Sequence, residues 1–87
     1  MTSTSIKTPH SSVLQAIERL DTSVAIIYSV KDELDKKLYA ELISQSLVYA
    51  QFLTTCANFG VPVTNSVVKS MAIEVRYFCD FVEKEIS

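Results

Sequence analysis

The chain has a single glycine, Gly60, and two prolines, Pro9 and Pro62, among its 87 residues. An all-β fold of this size needs a turn signal about every 8 to 12 residues, so the scarcity excludes that class and leaves helices. One glycine also excludes a phosphate cradle, which is built from several glycines whose backbone N–H groups close on the anion. The sole histidine, His10, falls in a Ser- and Thr-rich opening stretch, so no imidazole is held at a fixed place to serve a nucleophilic triad. The two cysteines, Cys56 and Cys79, have no second pair at zinc-ligand spacing, and no Glu-x-x-His or His-Glu-x-x-His cluster occurs. Neither a metal nor another cofactor is expected, the protein reads as a non-enzyme, and no catalytic residue is nominated.

Grouped positive charge is missing as well. The 8 basic and 10 acidic residues are interspersed, with a net charge of -2, so the chain carries no electrostatic footprint for a phosphate backbone. The first residues lack the charged and apolar regions of a secretory signal, and Thr2 stands where N-myristoylation needs glycine. A cytoplasmic location is the expectation. The string Lys31-Asp32-Glu33-Leu34 spells a retention tag that is read only at a C-terminus, so here it is coincidence.

What is present is an ordinary globular composition, 48% hydrophobic and 21% charged, far from the signature of disorder. Residues 1–10 lack apolar periodicity and are expected to form a flexible tail ending at Thr8-Pro9, with residues 11–87 as a single helical domain. Val13, Ile17, Leu20, Val24 and Ile27 recur at steps of three and four, which predicts a first helix over about 12–28, capped by Ser11 or Ser12. The β-branched run at residues 22–30 makes a strand locally possible, but a lone strand has no partner elsewhere. Leu34 and Leu38 continue the same stripe, so one unbroken helix over 12–58 is the alternative; a break or kink near Ser29 to Lys31 is favoured, with Ser29 and Asp32 at capping-box spacing and a second helix over about 32–58. Asp32 with Lys36, and Glu33 with Lys37, would then form i,i+4 pairs on a solvated face.

From Leu42 to Val68 there is no charged residue. Leu42, Ile43, Leu47, Val48, Tyr49, Phe52, Leu53, Cys56 and Phe59 cover most of the helix circumference, the mark of a helix buried on more than one side. The segment 42–63 approaches the length of a membrane span, but Gln45, Gln51, Thr54, Thr55, Asn58, Gly60 and Pro62 make it too polar and too interrupted to be one. Gly60 supplies the left-handed residue that closes the helix, Pro62 prevents its continuation, and Thr64 or Asn65 caps a third helix over about 65–86. Val68, Met71, Val75, Phe78, Cys79, Val82 and Ile86 share one face of that helix. With a turn near residues 61 and 62, Cys56 lies level with about residue 67, which leaves Cys79 roughly 18 Å away along the helix axis. A disulfide needs Cα atoms within about 7 Å. Asp80 and Glu83 share a helical side with Arg76 and Lys84, and ion pairing among these four is expected.

The fold expected is therefore all-α: a small three-helix bundle centred on an antiparallel hairpin of helices two and three, completed by homo-oligomerisation. Its apolar excess reads as an interaction surface, with Tyr49, Phe52, Leu53, Phe59, Tyr77 and Phe81 as interface candidates. A homodimer is the favoured assembly, because closed two-fold symmetry is the commonest way to bury a self-complementary patch. The function expected is a non-enzymatic protein–protein interaction module: an adaptor, assembly factor or inhibitor. In size and general layout the chain is similar to helical-bundle bacteriocin immunity proteins, a resemblance that implies an inhibitory role toward a larger protein. The alternative is a nucleic-acid-binding regulator acting as a dimer through Lys69, Arg76 and Lys84, the basic residues at helical spacing on helix three.

Overall fold

Three buried residues seven apart, Val13, Leu20 and Ile27, form the seam on which the helices assemble. A computed structural model describes residues 8–62 and 64–86, and among them the chain is all-helical, with no strand. Helix α1 runs Thr8–Ser29, α2 Lys36–Phe59 and α3 Ser66–Phe81; a 3-10 turn, Lys31–Glu33, precedes α2, and a π-helical turn, Val82–Ile86, extends α3. Residues 1–7 of the expected tail lie outside the described residues. The first helix starts at Thr8 rather than residue 12, so Ser11 and Ser12 fall within it and not at its cap. Pro9 falls in its first turn, which tolerates a residue without an N–H.

The β-branched run at 22–30 is helical as far as Ser29. Propensity is overridden by packing there, since Ile27 is fully buried. Val30 N–H is shared between the carbonyls of Ile26 and Ile27 at 3.2 and 3.3 Å, and the helix tightens into the 3-10 turn. The expected second cap is displaced. Ser29 Oγ donates back to Ile26 O at 2.7 Å, while Asp35 takes the N-cap of α2 and accepts from the backbone N–H of Lys37 at 3.0 Å and Leu38 at 3.2 Å. Asp32 and Glu33 consequently lie in the turn and not on α2, so the expected i,i+4 pairs do not share one helix. Lys31 instead places its ammonium 5.7 Å from the centroid of the Tyr39 ring, within cation–π range.

The second connection follows the expectation closely. Gly60 closes α2 with φ 62° and ψ 35°, a left-handed conformation in which a Cβ would be strained. Its N–H and that of Val61 both reach Cys56 O. Asn65 caps α3, its Oδ1 accepting from Val67 N–H at 2.9 Å and Val68 N–H at 3.3 Å. Along α2 the buried residues Leu42, Ser46, Tyr49, Leu53 and Cys56 alternate in steps of four and three, and on α3 the buried residues are Val68, Val75, Phe78 and Cys79.

The centre of the molecule differs from the hairpin expected. Helix α1 packs along α2 and also along α3 and its π-turn, whereas α2 and α3 meet far more sparingly. Their direct contact is marked by the rings of Tyr49 and Phe78, edge to face with centroids 5.5 Å apart, and by a long hydrogen bond of 3.5 Å from Tyr49 O–H to Glu74 Oε1. The extents of 49 × 24 × 19 Å leave room for little more than two helix diameters, at about 10–12 Å each, across the long axis. So thin an arrangement cannot hide both sides of every helix.

The caps are separable by substitution. Asp35→Ala and Asn65→Ala are each expected to lower stability by about 1 kcal/mol in urea unfolding. Ser29→Ala, which removes only an exposed intrahelical bond, should stay within roughly 0.5 kcal/mol of the parent.

Candidate functional site

The charge-free half of α2 carries two seams. One is the core seam ending in Leu53 and Cys56; beside it Val48, Phe52, Thr55 and Phe59 recur at steps of four, three and four on an adjacent side of the helix. The core seam takes two of the six candidates out of play. Tyr49 and Leu53 are buried by the chain's own helices, at 7% and 2% exposure, so neither is available to a partner. The reason is that a helix apolar nearly all round does not disclose which side its own chain covers.

The other four remain at the surface. Phe52 is half-buried and lines, with Thr55, Cys56, Val61, Asn65, Val67 and Val68, a groove of about 250 Å³ between α2 and α3 at the hairpin end. Phe59, at the tip, is 79% exposed, and Tyr77 on α3 is 68% exposed. Phe81 is also exposed. It continues a stripe Ile73, Tyr77, Phe81 at steps of four, turned away from the buried Val68, Val75 and Val82. The structure thus brings Phe52 together with Val67 across the hairpin groove and leaves Tyr77 and Phe81 on the outer side of α3. Val48, Val67 and Ile73 were missing from the candidates and are exposed. For Val48 and Ile73 the signal was their position four residues before Phe52 and Tyr77; Val67 has no such spacing to the candidates and comes beside Phe52 only through the fold.

Electrostatics gather at the opposite end of α3, with an unexpected partner. Arg19 of α1 forks onto Glu83, Nε to Oε2 at 3.1 Å and Nη2 to Oε1 at 2.9 Å, and Nη2 also reaches Asp80 Oδ1 at 2.5 Å. Arg76 and Lys84, the partners expected from sequence, form no ion pair among the described residues; Arg19, the only residue that does, lies too far away along the chain for helical spacing to suggest it. Its hydrogen bonds hold the Asp80 and Glu83 carboxyls below their usual range, and the carboxylates in turn raise the guanidinium still further.

Two polar groups sit deep between α1 and α3. Ser23 Oγ is fully buried without a hydrogen-bond partner among the described residues. Cys79 beside it is a free, buried thiol. Burial pushes that thiol up, partly offset by the Arg19 charge. Burial also raises Tyr49, and the nearby Glu74 carboxylate adds to it. No group of three or more His, Cys, Asp or Glu side chains placed to hold a metal occurs among the described residues, and no described helix is long and apolar enough to cross a membrane.

Both features make measurable statements. The depressed carboxyls contribute stability that is present above their unfolded values of about 3.9 and 4.3 and is lost as the pH falls through the lower folded values. Arg19→Gln should therefore weaken the protein at neutral pH while leaving its urea midpoint at pH ~2 nearly unchanged. Cys56 and Cys79 are expected to react with a thiol reagent only as fast as the fold opens, and at the free-thiol rate in denaturant. Compared with known protein families, with curated proteins and with solved structures, the chain matches none, so its functional reading rests on the geometry of its own surface.

Proposed function

We propose that the protein is a non-enzymatic protein–protein interaction module, acting in the cytoplasm as an adaptor, assembly factor or inhibitor. Its working surface is the apolar hairpin end formed by Phe52 and Phe59 of α2 and Val67 of α3, and the outer stripe of Tyr77 and Phe81 on α3 extends it along that helix. A second copy of the chain, completing a larger helical bundle around two-fold symmetry, is the favoured occupant. The observation that carries the reading is the exposure of Phe59 and Tyr77, 79% and 68%, on a chain whose hairpin segment has no charge from Leu42 to Val68. Scattered apolar residues on a surface need no explanation. An exposed Phe59 at the tip with a half-buried Phe52 and a groove near it does, and the exposed Tyr77 adds a second aromatic ring farther along α3, since aromatic anchors next to a pocket are what dominate protein interfaces.

Nucleic-acid binding through Lys69, Arg76 and Lys84 is the weaker alternative. Asp80 stands between Arg76 and Lys84, and both lower its pKa, so their positive field is spent in part on this chain's own carboxylate. Phosphate tracking needs a basic stripe without such interruptions.

Sedimentation velocity tests the proposal. The parent is expected to sediment as a dimer, and Phe59→Asp combined with Tyr77→Asp should weaken the association at least tenfold, a loss of about 1.4 kcal/mol. Both positions are exposed, so the helical circular dichroism should persist. A parent that stays monomeric at concentrations of order 0.1 mM would refute the homodimer, since aromatic-anchored dimers of standard size associate well below that.

A further inference from the structure

A second groove, between α1 and α3, meets the first at Val68 and the outer stripe of α3 at Ile73. Val13 and Ala16 of α1, Leu53 of α2 and Val68 and Ala72 of α3 line it, and it encloses about 270 Å³. Lys69 and Arg76 stand at its edge, seven residues apart and so about two turns along one helix. The groove continues past Ser12 and Gln15 to Arg19. No Asp or Glu lines either part, although acidic residues outnumber basic ones in the chain as a whole. Arg19 is committed to Asp80 and Glu83, whereas Lys69 and Arg76 make no ion pair among the described residues. The groove is therefore apolar along its floor and cationic at its rim; no carboxylate lines it, and Asp80, one turn beyond Arg76 on α3, is held mainly by Arg19 and draws only in part on Arg76.

We infer that this groove binds a single-chain anionic amphiphile, a medium-chain carboxylate, with its alkyl tail over Ala16 and Ala72, above the buried Val13, Leu53 and Val68, and its head between Lys69 and Arg76. The volume corresponds to about nine water-sized spaces at roughly 30 Å³ each, which suits one alkyl chain. It falls just below the range of about 300–1,000 Å³ for pockets that hold drug-sized molecules. Ala16 and Ala72 keep the floor open because their side chains end at Cβ. Two cations at the rim favour an ionised head over a neutral one. The inference does not depend on dimerisation through the other face.

Titration of the isotope-labelled protein with sodium decanoate, below the concentration at which it forms micelles, tests it by amide NMR. Saturable one-to-one binding is expected, with shifts centred on Ala16, Ala72 and Ile73. Each further buried CH₂ should tighten binding, by at most about fourfold. Lys69→Glu with Arg76→Glu should weaken decanoate at least tenfold, and decanol should bind the parent at least tenfold more weakly than decanoate. Ala72→Phe fills the groove without altering charge and should abolish binding while keeping the unfolding midpoint. Tyr77→Ser, on the outer side of α3, should leave it unchanged. Equal binding of decanol and decanoate, shifts centred on Phe59 and Tyr77, or an absence of saturation would each overturn the inference. So would a change in sedimentation of the unliganded protein on charge reversal at Lys69 and Arg76, because a second copy would then occupy the groove.

Discussion

Everything in this molecule depends on burial of one side of α1. Val13, Leu20 and Ile27 are each at most 3% exposed, and they are reached from two directions, by α2 and by α3 with its π-turn. At about 25 cal/mol per Å² of apolar surface removed from water, a shared seam does double service in a chain too short for a large core. The cost of the arrangement is geometric. Helices that lean on a common third element have their other sides turned outward, and the charge-free half of α2 carries more apolar surface than one neighbour can cover.

This division explains why the molecule has two distinct apolar openings. The groove beside Phe52 lies between α2 and α3 at the hairpin end, and the second lies between α1 and α3 beside Lys69 and Arg76. Their rims differ in character. The first is edged by aromatic and uncharged polar side chains, and the second by cations, so the two sides of α3 present different chemistry to the surroundings while the third side is committed to the core. The short residues Ala16, Ala72 and Ser23 on the α1–α3 side limit how fully that interface fills.

How much of this was legible in the sequence depended on how far apart the cooperating residues are. The hairpin end was readable because Gly60, Pro62 and Asn65 act within a few residues of themselves: a left-handed closure, a missing N–H and a side-chain cap are local chemistry. The break after α1 was readable to within a few residues, but its cap was not. Ser29 and Asp35 both have side chains able to cap, and what selects between them is where the chain must turn for α2 to lie along α1, a tertiary requirement with no local signature. Arg19 is the extreme case, since its partners lie more than sixty residues away and nothing in helical spacing links them. The candidate surface falls between these limits. Apolar periodicity marked α2 as exposed to more than one neighbour, yet it could not say that Tyr49 and Leu53 face this chain's own core while Phe59 does not.

The fork from Arg19 has a mechanical side. Helix α3 is joined to α2 at one end by the hairpin and fastened to the middle of α1 at the other by Asp80 and Glu83, in the stretch where the π-turn begins. A pull applied at the Val82–Ile86 end is therefore resisted together by polar contacts open to solvent and by Val82, which is fully buried. The polar part can yield and re-form in water, whereas Val82 leaves the core only when the end of α3 detaches from α1 as a whole.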